Sequence, residues 1–274
     1  MNFLFWNLNR RPLKDQLAAA VAELAVDVLI LAENPVPSVE LLTHLNRSLR
    51  PKFAYPRIPI DRLTILARLP RRSLVPVLDS PGIAIRRLRA PLGPEILLVS
   101  VHLASKMYHS DADQALFATR LMLMVEDAET QVGHTRTVIV GDLNMNPFES
   151  GVVGAGGFHA VGSRSVAARG SRVVQGEARQ FFYNPMWSHF GDRPPSPPGT
   201  YYYSRATQVS YFWNMFDQVL IRPSLLDYFA DEDLSIVTHV GGLSLLDGRG
   251  LPDTEIGSDH LPLFFRLHTA EDRL

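Results

Sequence analysis

The sequence contains no cysteine, which excludes disulfides, thiolate metal ligands and a cysteine nucleophile together. Lysine is scarce, three residues against 24 arginines, and charges of the two signs nearly cancel to a formal net charge of -1. Such a chain has no overall basic field to drive unspecific nucleic-acid binding through counterion release, so any groove for a polyanion must be local. No uninterrupted apolar stretch reaches the roughly 20 residues of a membrane-spanning helix, and no membrane span is expected. The opening MNFLFWNLNRRPLKDQ has too short an apolar run for a secretory leader, and its charges come after that run. These absences together make a reducing, cytoplasmic location the expectation.

What is present is globular: 46% hydrophobic and 20% charged residues over 274 positions, sufficient for a sizeable core. Sheet sandwiches reach this length as one unit, so a single domain over 1–274 is expected. Residues 2–8 read as a strand, and 12–25 as a helix with Leu13, Leu17, Val21 and Leu24 on one stripe. Residues 26–32, VDVLILA, form a continuous apolar run of strand length, the pattern of a strand covered on both faces. Further strands are predicted over 63–67, 74–78, 82–88, 96–102, 137–141, 217–221, 234–238 and 261–267. A second helix is predicted over 111–129, with Ser110 or Asp111 as its cap. Many strands, few helices and no fixed-period repeat indicate two packed sheets flanked by helices, an α/β sandwich. Residues 151–177 are rich in Gly, Ser and Arg and read as a long mobile loop. Residues 192–200 hold four prolines and read as a rigid turn.

The residues able to do chemistry gather where predicted strands stop or start. In VIVGDLNMN a buried strand runs into Gly141 and then presents Asp142 and Asn144. An Asp can orient or deprotonate a water, and a neighbouring Asn can donate to a phosphate oxygen without adding negative charge. An ordinary Asp/Asn turn explains this pair equally well when it is taken alone. Ser258-Asp259-His260 sets an acid beside a base at a strand entrance, although a strand cap with a solvated imidazole would look the same. Asn7 and Asn9 share one side of the first strand by its two-residue period. Glu33 ends the second strand, His102 ends another, and Asp217 begins a third. Each is unremarkable singly; six strand ends carrying such groups are not.

This ordered set resembles the endonuclease/exonuclease/phosphatase superfamily, with WN near the start, E after the second strand, then GDLN and SDH, over nearly the whole chain. The resemblance implies a four-layer α/β sandwich, two packed mixed β-sheets flanked by helices, hydrolysing a phosphate ester with a divalent cation, Mg²⁺ or Mn²⁺. By position it implies Glu33 as the principal metal carboxylate, assisted by Asn7 and Asp259. Asp142 would activate the attacking water, and Asn144 would hold that water and a phosphate oxygen. His260, paired with Asp217, would stabilise the pentacovalent phosphate, while His102 would touch a non-bridging oxygen or assist the leaving group. Asn9 stands where several nuclease members carry a carboxylate, and only Asp61 is available as a second acid, which argues against a second metal site.

For the substrate, Lys106 and Tyr108 follow the strand that ends in His102 and could clamp an anion. Twelve of the 25 aromatic residues fall within 181–216, and Trp187, Tyr202 and Trp213 are the candidates for a base-stacking wall, each stack worth roughly 1 to 3 kcal/mol. Nucleic acid is therefore the expected partner, cut at a phosphodiester. The alternative is a small phosphorylated molecule or lipid headgroup, in keeping with the near-neutral charge. A scaffold with a degenerate site is disfavoured because every acid and base of the set is in place.

Overall fold

The computed structural model describes residues 1–47, 49–54, 60–70, 72–89, 93–192, 196–204, 206 and 208–268. The chain opens with β1 (Asn2–Asn7), α1 (Lys14–Glu23), β2 (Val28–Ala32), α2 (Ser38–Leu45) and β3 (Leu63–Ala67). Strands β4 (Leu74–Ser80), β5 (Ile83–Leu88) and β6 (Ile96–His102) then lead to α3 (Asp111–Val132) and β7 (Thr137–Asp142). Next come α4 (Ser150–Val153), β8 (Ala160–Val161), α5 (Arg164–Ala167), β9 (Ser171–Val174), β10 (Glu177–Gln180) and β11 (Phe182–Tyr183). The last third holds β12 (Tyr201–Tyr203), β13 (Phe212–Asn214), β14 (Asp217–Ile221), β15 (Leu234–Ile236), β16 (His239–Val240), β17 (Leu243–Ser244) and β18 (Leu263–Arg266).

Two mixed sheets dominate, one of five strands in the order β15-β18-β1-β2-β3, the other of seven in the order β4-β5-β6-β7-β14-β11-β8. Strands β6, β7 and β14 show why the sandwich forms. Leu98, Val138, Val140, Val219 and Ile221 face the core shared with the first sheet. Their neighbours Leu97, Val99, Val101, Ile139 and Leu220 face a second core beneath α3. Alternation along a strand thus feeds two cores at once, so these strands read as unbroken apolar runs. The first sheet is likewise covered on both faces, for Phe3, Leu4, Phe5 and Trp6 of β1 are all fully buried. Phe3 stacks on Phe265 with ring centroids 4.6 Å apart, in the register that pairs β1 with β18.

Helix α3 is delimited as its sequence dictates. The Ser110 hydroxyl accepts from the Asp113 amide while the Asp113 carboxylate accepts from the Ser110 amide, and Gly133 ends the helix in the left-handed conformation. Ala118, Leu121, Met122 and Val125 bury its inner face. Glu129, near its end, receives Nε and a terminal guanidinium nitrogen of Arg222 at 2.9 and 3.0 Å, and Thr137 as a third donor. Arg222 is 1% exposed, so this pair is a fully desolvated tie between α3 and the end of β14, satisfied on both sides.

Residues 151–177 differ from the expected loop. They carry α4, β8, α5, β9 and the start of the β9–β10 hairpin. Elements of two to four residues are too short to show a period in sequence. Of the Pro-rich turn, 193–195 lie outside the described residues. Among the described residues no helix is long and apolar enough to cross a membrane.

Candidate active site

Strand pairing alone brings the chemical residues together. β1 runs parallel to β2 with Asn7 opposite Ala32, which sets Asn7 beside the residue after the strand, Glu33. β6 runs parallel to β7 with His102 opposite Asp142. β14 runs antiparallel to β7, so its first residue, Asp217, sits opposite Asp142. β18 is antiparallel to β1 with Leu263 opposite Phe5, which leaves Asp259 and His260 at the end of β1 where Asn7 lies. The Trp6 indole fixes this last segment by donating to the His260 carbonyl at 2.8 Å.

The turns that follow the strands are strained, and the strain aims the side chains. Glu33, Asn144 and Asn9 have φ of +49°, +51° and +44°; the Asn residues tolerate this, whereas for a Glu it costs on the order of 1–2 kcal/mol. Gly141 has φ of +151°, and a Cβ there would lie 1.9 Å from the Val101 carbonyl oxygen. Only glycine allows β6 and β7 to approach closely enough to set His102 against Asp142.

Asp142 is buried and its two oxygens are held apart in role: Oδ2 accepts from Asn7 Nδ2 at 2.9 Å, and Oδ1 accepts from the Asn144 amide at 2.8 Å. Burial pushes its carboxyl pKa up, and the Asp217 charge adds to that rise against the opposing pull of His260 and His102. His260 Nδ1 donates to Asp217 Oδ2 at 2.8 Å, and Asp217 is completely buried. Burial works to lower the pKa of this imidazole, but the Asp217 charge and hydrogen bond, followed by Asp142 and Asp259, lift it to about 10. His260 is therefore a cation at neutral pH with Nε2 as its second donor. His102 Nε2 lies 3.5 Å from Glu33 and 3.9 Å from Asp142, between two carboxylates. Asn144 spends one amide hydrogen on the Leu103 carbonyl at 3.0 Å, keeping the other hydrogen and Oδ1.

Asn7, Asn9, Glu33, His102, Asp142, Asn144, Asp259 and His260 line one open cleft of about 630 Å³, joined by Lys106. Asp217 lies behind it, reached through His260. Lys106 is not a free clamp: its ammonium is held by Glu149, and Asp111 lies 3.3 Å from it. Tyr108, Trp187, Tyr202 and Trp213 are not among the lining residues. Tyr108 projects into solvent at 79% exposure, and Trp187 covers Gly162. Tyr202 and Trp213 are paired across the β12–β13 ladder, ring against ring at 5.4 Å, on the face away from the cleft. The aromatic lining is instead Tyr201, Tyr203, Tyr211 and Phe216. Sequence reasoning also passed over Asn146, Glu149 and Asn214, which line the cleft. Asn146, which donates to Asn214 at 2.9 Å, continues the two-residue spacing of Asp142 and Asn144 and was the available signal.

A hard dication fits these donors. Among the described residues, the Glu33 carboxylate has Arg10 at 3.6 Å and His102 at 3.5 Å as its ion-pair partners, both beyond a good hydrogen bond, so its oxygens carry no tight partner. Asn7 Oδ1 and the Asp259 carboxylate complete an all-oxygen set on the same cleft, suited to Mg²⁺ or Mn²⁺. Asp142, Asp217 and His260 also offer ligand atoms within 4.8 Å of one another. Asp217 and His260 are already engaged with each other, which makes the Glu33 side the better cation position.

A two-sheet sandwich with acids and imidazoles gathered at strand ends around one cleft presents the groups that hydrolysis of a phosphate ester needs. The sequence model of the Endonuclease/Exonuclease/phosphatase family matches residues 4–260, so the chain belongs to that family of phosphoesterases. In fold it is similar to the endonuclease domain of TRAS1, a telomere-specific non-LTR retrotransposon, at 15% identity over 98% of this chain and 99% of that chain, TM-score 0.55. It is similar to D. rerio TDP2 complexed with a single-strand DNA product, at 15% identity over 98% and 99%, TM-score 0.54. An AP endonuclease from Archaeoglobus fulgidus shares the fold at 13% identity over 97% and 99%, TM-score 0.56. No curated protein matches the sequence.

Proposed function

We propose that the protein is a divalent-metal-dependent nuclease that hydrolyses phosphodiester bonds of nucleic acid by attack of water. The observation that carries this reading is the cleft in which an imidazolium backed by a buried carboxylate, His260 with Asp217, faces Asp142 and Glu33. Nucleic-acid enzymes among the fold's similar structures support the substrate class.

Glu33, Asn7 and Asp259 are the residues that would hold the cation; when bound, it supplies positive charge for the oxygens of the scissile phosphate. Asp142, with its raised pKa, takes the proton of the attacking water as the new oxygen–phosphorus bond forms. Asn144, anchored through Leu103, orients that water with its remaining amide groups. His260 donates from Nε2 to a phosphoryl oxygen as negative charge gathers there, and Asp217 keeps that imidazole oriented and charged. His102, seated between Glu33 and Asp142, contacts a second non-bridging oxygen. The bond to the leaving oxygen breaks as the attacking oxygen bonds to phosphorus, the leaving alkoxide takes a proton from solvent water in the open cleft, and the products are a phosphate monoester and an alcohol.

The test is a hydrolysis panel with Mg²⁺ and with Mn²⁺. Single-stranded and duplex DNA and RNA are set beside soluble phosphomonoesters. Cleavage of a nucleic acid that stops with EDTA is expected. Phosphate release from monoesters with every nucleic acid left intact would overturn the assignment in favour of a small-molecule phosphatase.

A further inference from the structure

The wall that faces the catalytic groups belongs to the β12–β13 hairpin. The hairpin's base is fastened to the segment carrying His260: the Leu261 amide donates to the Thr200 carbonyl at 2.8 Å, and Tyr201 forms a β-bridge with His260. The Tyr201 ring lies 4.6 Å from the imidazole and stacks with Phe216 at 5.4 Å and Tyr203 at 6.2 Å. Tyr211, on the return side of the hairpin, meets Phe148 at 5.1 Å and 63°, which fixes its ring while leaving it 53% exposed. Val209 and Met107, exposed at 69% and 63%, extend the apolar rim from two different loops. Tyr201, Tyr203, Tyr211, Phe216, Val209 and Met107 line the cleft that holds Asp142 and His260.

Charge points the same way. Among the described lining residues, the carboxylates of Glu33, Asp111, Asp142, Glu149 and Asp259 face one ammonium, Lys106, which is engaged by Glu149, and the His260 imidazolium, which is engaged by Asp217. A duplex followed along its length presents a row of phosphates that needs a row of cations. This cleft is built for one phosphate beside an aromatic surface, and successive bases of an unpaired strand present the flat faces that such a surface stacks.

We propose that the β12–β13 hairpin is the specificity element of the site, with Tyr203 and Tyr211 stacking an unpaired nucleobase next to the phosphate that is cut. Single strands and frayed ends are then the substrates, and continuous duplex is excluded. The proposal rests on the nuclease reading above.

The experiment compares three substrates with Mn²⁺: a thymidine oligomer, the same oligomer with abasic positions around the scissile phosphate, and a blunt duplex. The wild type should favour the base-bearing oligomer over the abasic one by about 10-fold in kcat/KM and leave the duplex nearly uncut. Tyr211→Ala should shrink that preference by about 5-fold or more, whereas Tyr211→Phe, which keeps the ring, should retain it. A metal-independent readout is quenching of a 2-aminopurine oligomer in EDTA, lost in Tyr211→Ala and kept in Tyr211→Phe. Equal cutting of duplex and single strand, or a base preference and quenching that survive Tyr211→Ala, overturns the hairpin assignment and spares the nuclease reading. If the wild type cuts no nucleic acid yet hydrolyses a monoester, both fall together.

Discussion

Asp217→Asn removes one charge from a completely buried side chain and leaves its shape almost unchanged. The lift of His260 from 6.5 to about 10 represents about 5 kcal/mol of preference for the imidazolium, at about 1.4 kcal/mol for each tenfold step. Burial pulls the other way, and the Asp217 charge and hydrogen bond are the largest influences that overcome it. With an amide in place of the carboxylate the Asp217 charge is gone while the pull of burial stays, and the pKa of His260 should fall. As the imidazolium becomes less favoured, turnover should fall by about 10²- to 10⁴-fold. Stability follows the same proton. In the wild type the pair stabilises the fold fully below pH 6.5 and progressively less as the pH rises through about 10. The variant should lack that alkaline slope. The assay is an NMR titration of the His260 Cε1 proton, assigned by its absence in His260→Gln, alongside pH–rate profiles and denaturant midpoints from pH 6 to 10. A His260 that still titrates near 10 in the variant, or turnover within threefold of wild type, refutes the argument that Asp217 holds the charge.

Glu33→Gln should raise the Mg²⁺ or Mn²⁺ concentration needed for half-maximal activity by tenfold or more; an unshifted titration removes Glu33 from the ligand set. Gly141→Ala puts a methyl 1.9 Å from the Val101 carbonyl oxygen and should destabilise by roughly 3 kcal/mol or more in urea melts; a melt within 1 kcal/mol of wild type would mean that β6 and β7 can part without strain. At the far end of β6, burial works to raise Glu95, but hydrogen bonds from Arg89 and Arg87 outweigh it and bring its carboxyl down to about 2. Glu95→Gln should therefore weaken the fold at pH 7 by about 1–2 kcal/mol. As the pH falls from 4.5 toward 2 the wild-type advantage should fade, and a constant gap across that range contradicts the ion-pair account.

Most of the framework was legible in sequence, and the reason is physical. Strands β2, β6 and β7 are covered on both faces, so they write continuous apolar runs of strand length. Helix α3 announces its start with Ser110, and it runs past the expected end at 129 to Val132, where Gly133 stops it. Strands β8 and β11 were not legible, because two residues carry no period and their place in the seven-stranded sheet is set by long-range pairing with β14. The polar residues could be collected because each stands at a strand end. Parallel pairing of β1 with β2 and of β6 with β7 then puts those ends on one side.

The aromatic wall shows where such reasoning stops. Tyr201, Tyr202 and Tyr203 occupy consecutive positions of one short strand, and consecutive side chains point to opposite faces. The ladder pairs Tyr202 with Trp213, and Tyr201 with Asn214. Asn214 lines the cleft and Trp213 does not, so the odd positions of β12 face the cleft and Tyr202 faces away. With aromatics on both faces, the hydrophobic pattern does not specify which parity turns inward. That choice is made by the β-bridge between Tyr201 and His260, two residues separated by most of the last quarter of the chain. The same bridge couples specificity to chemistry. Any change that shifts the β12 register by one residue would withdraw Tyr201 and Tyr203 together and present Tyr202 to the imidazole, so the tyrosine wall keeps its place only while the bridge to His260 holds.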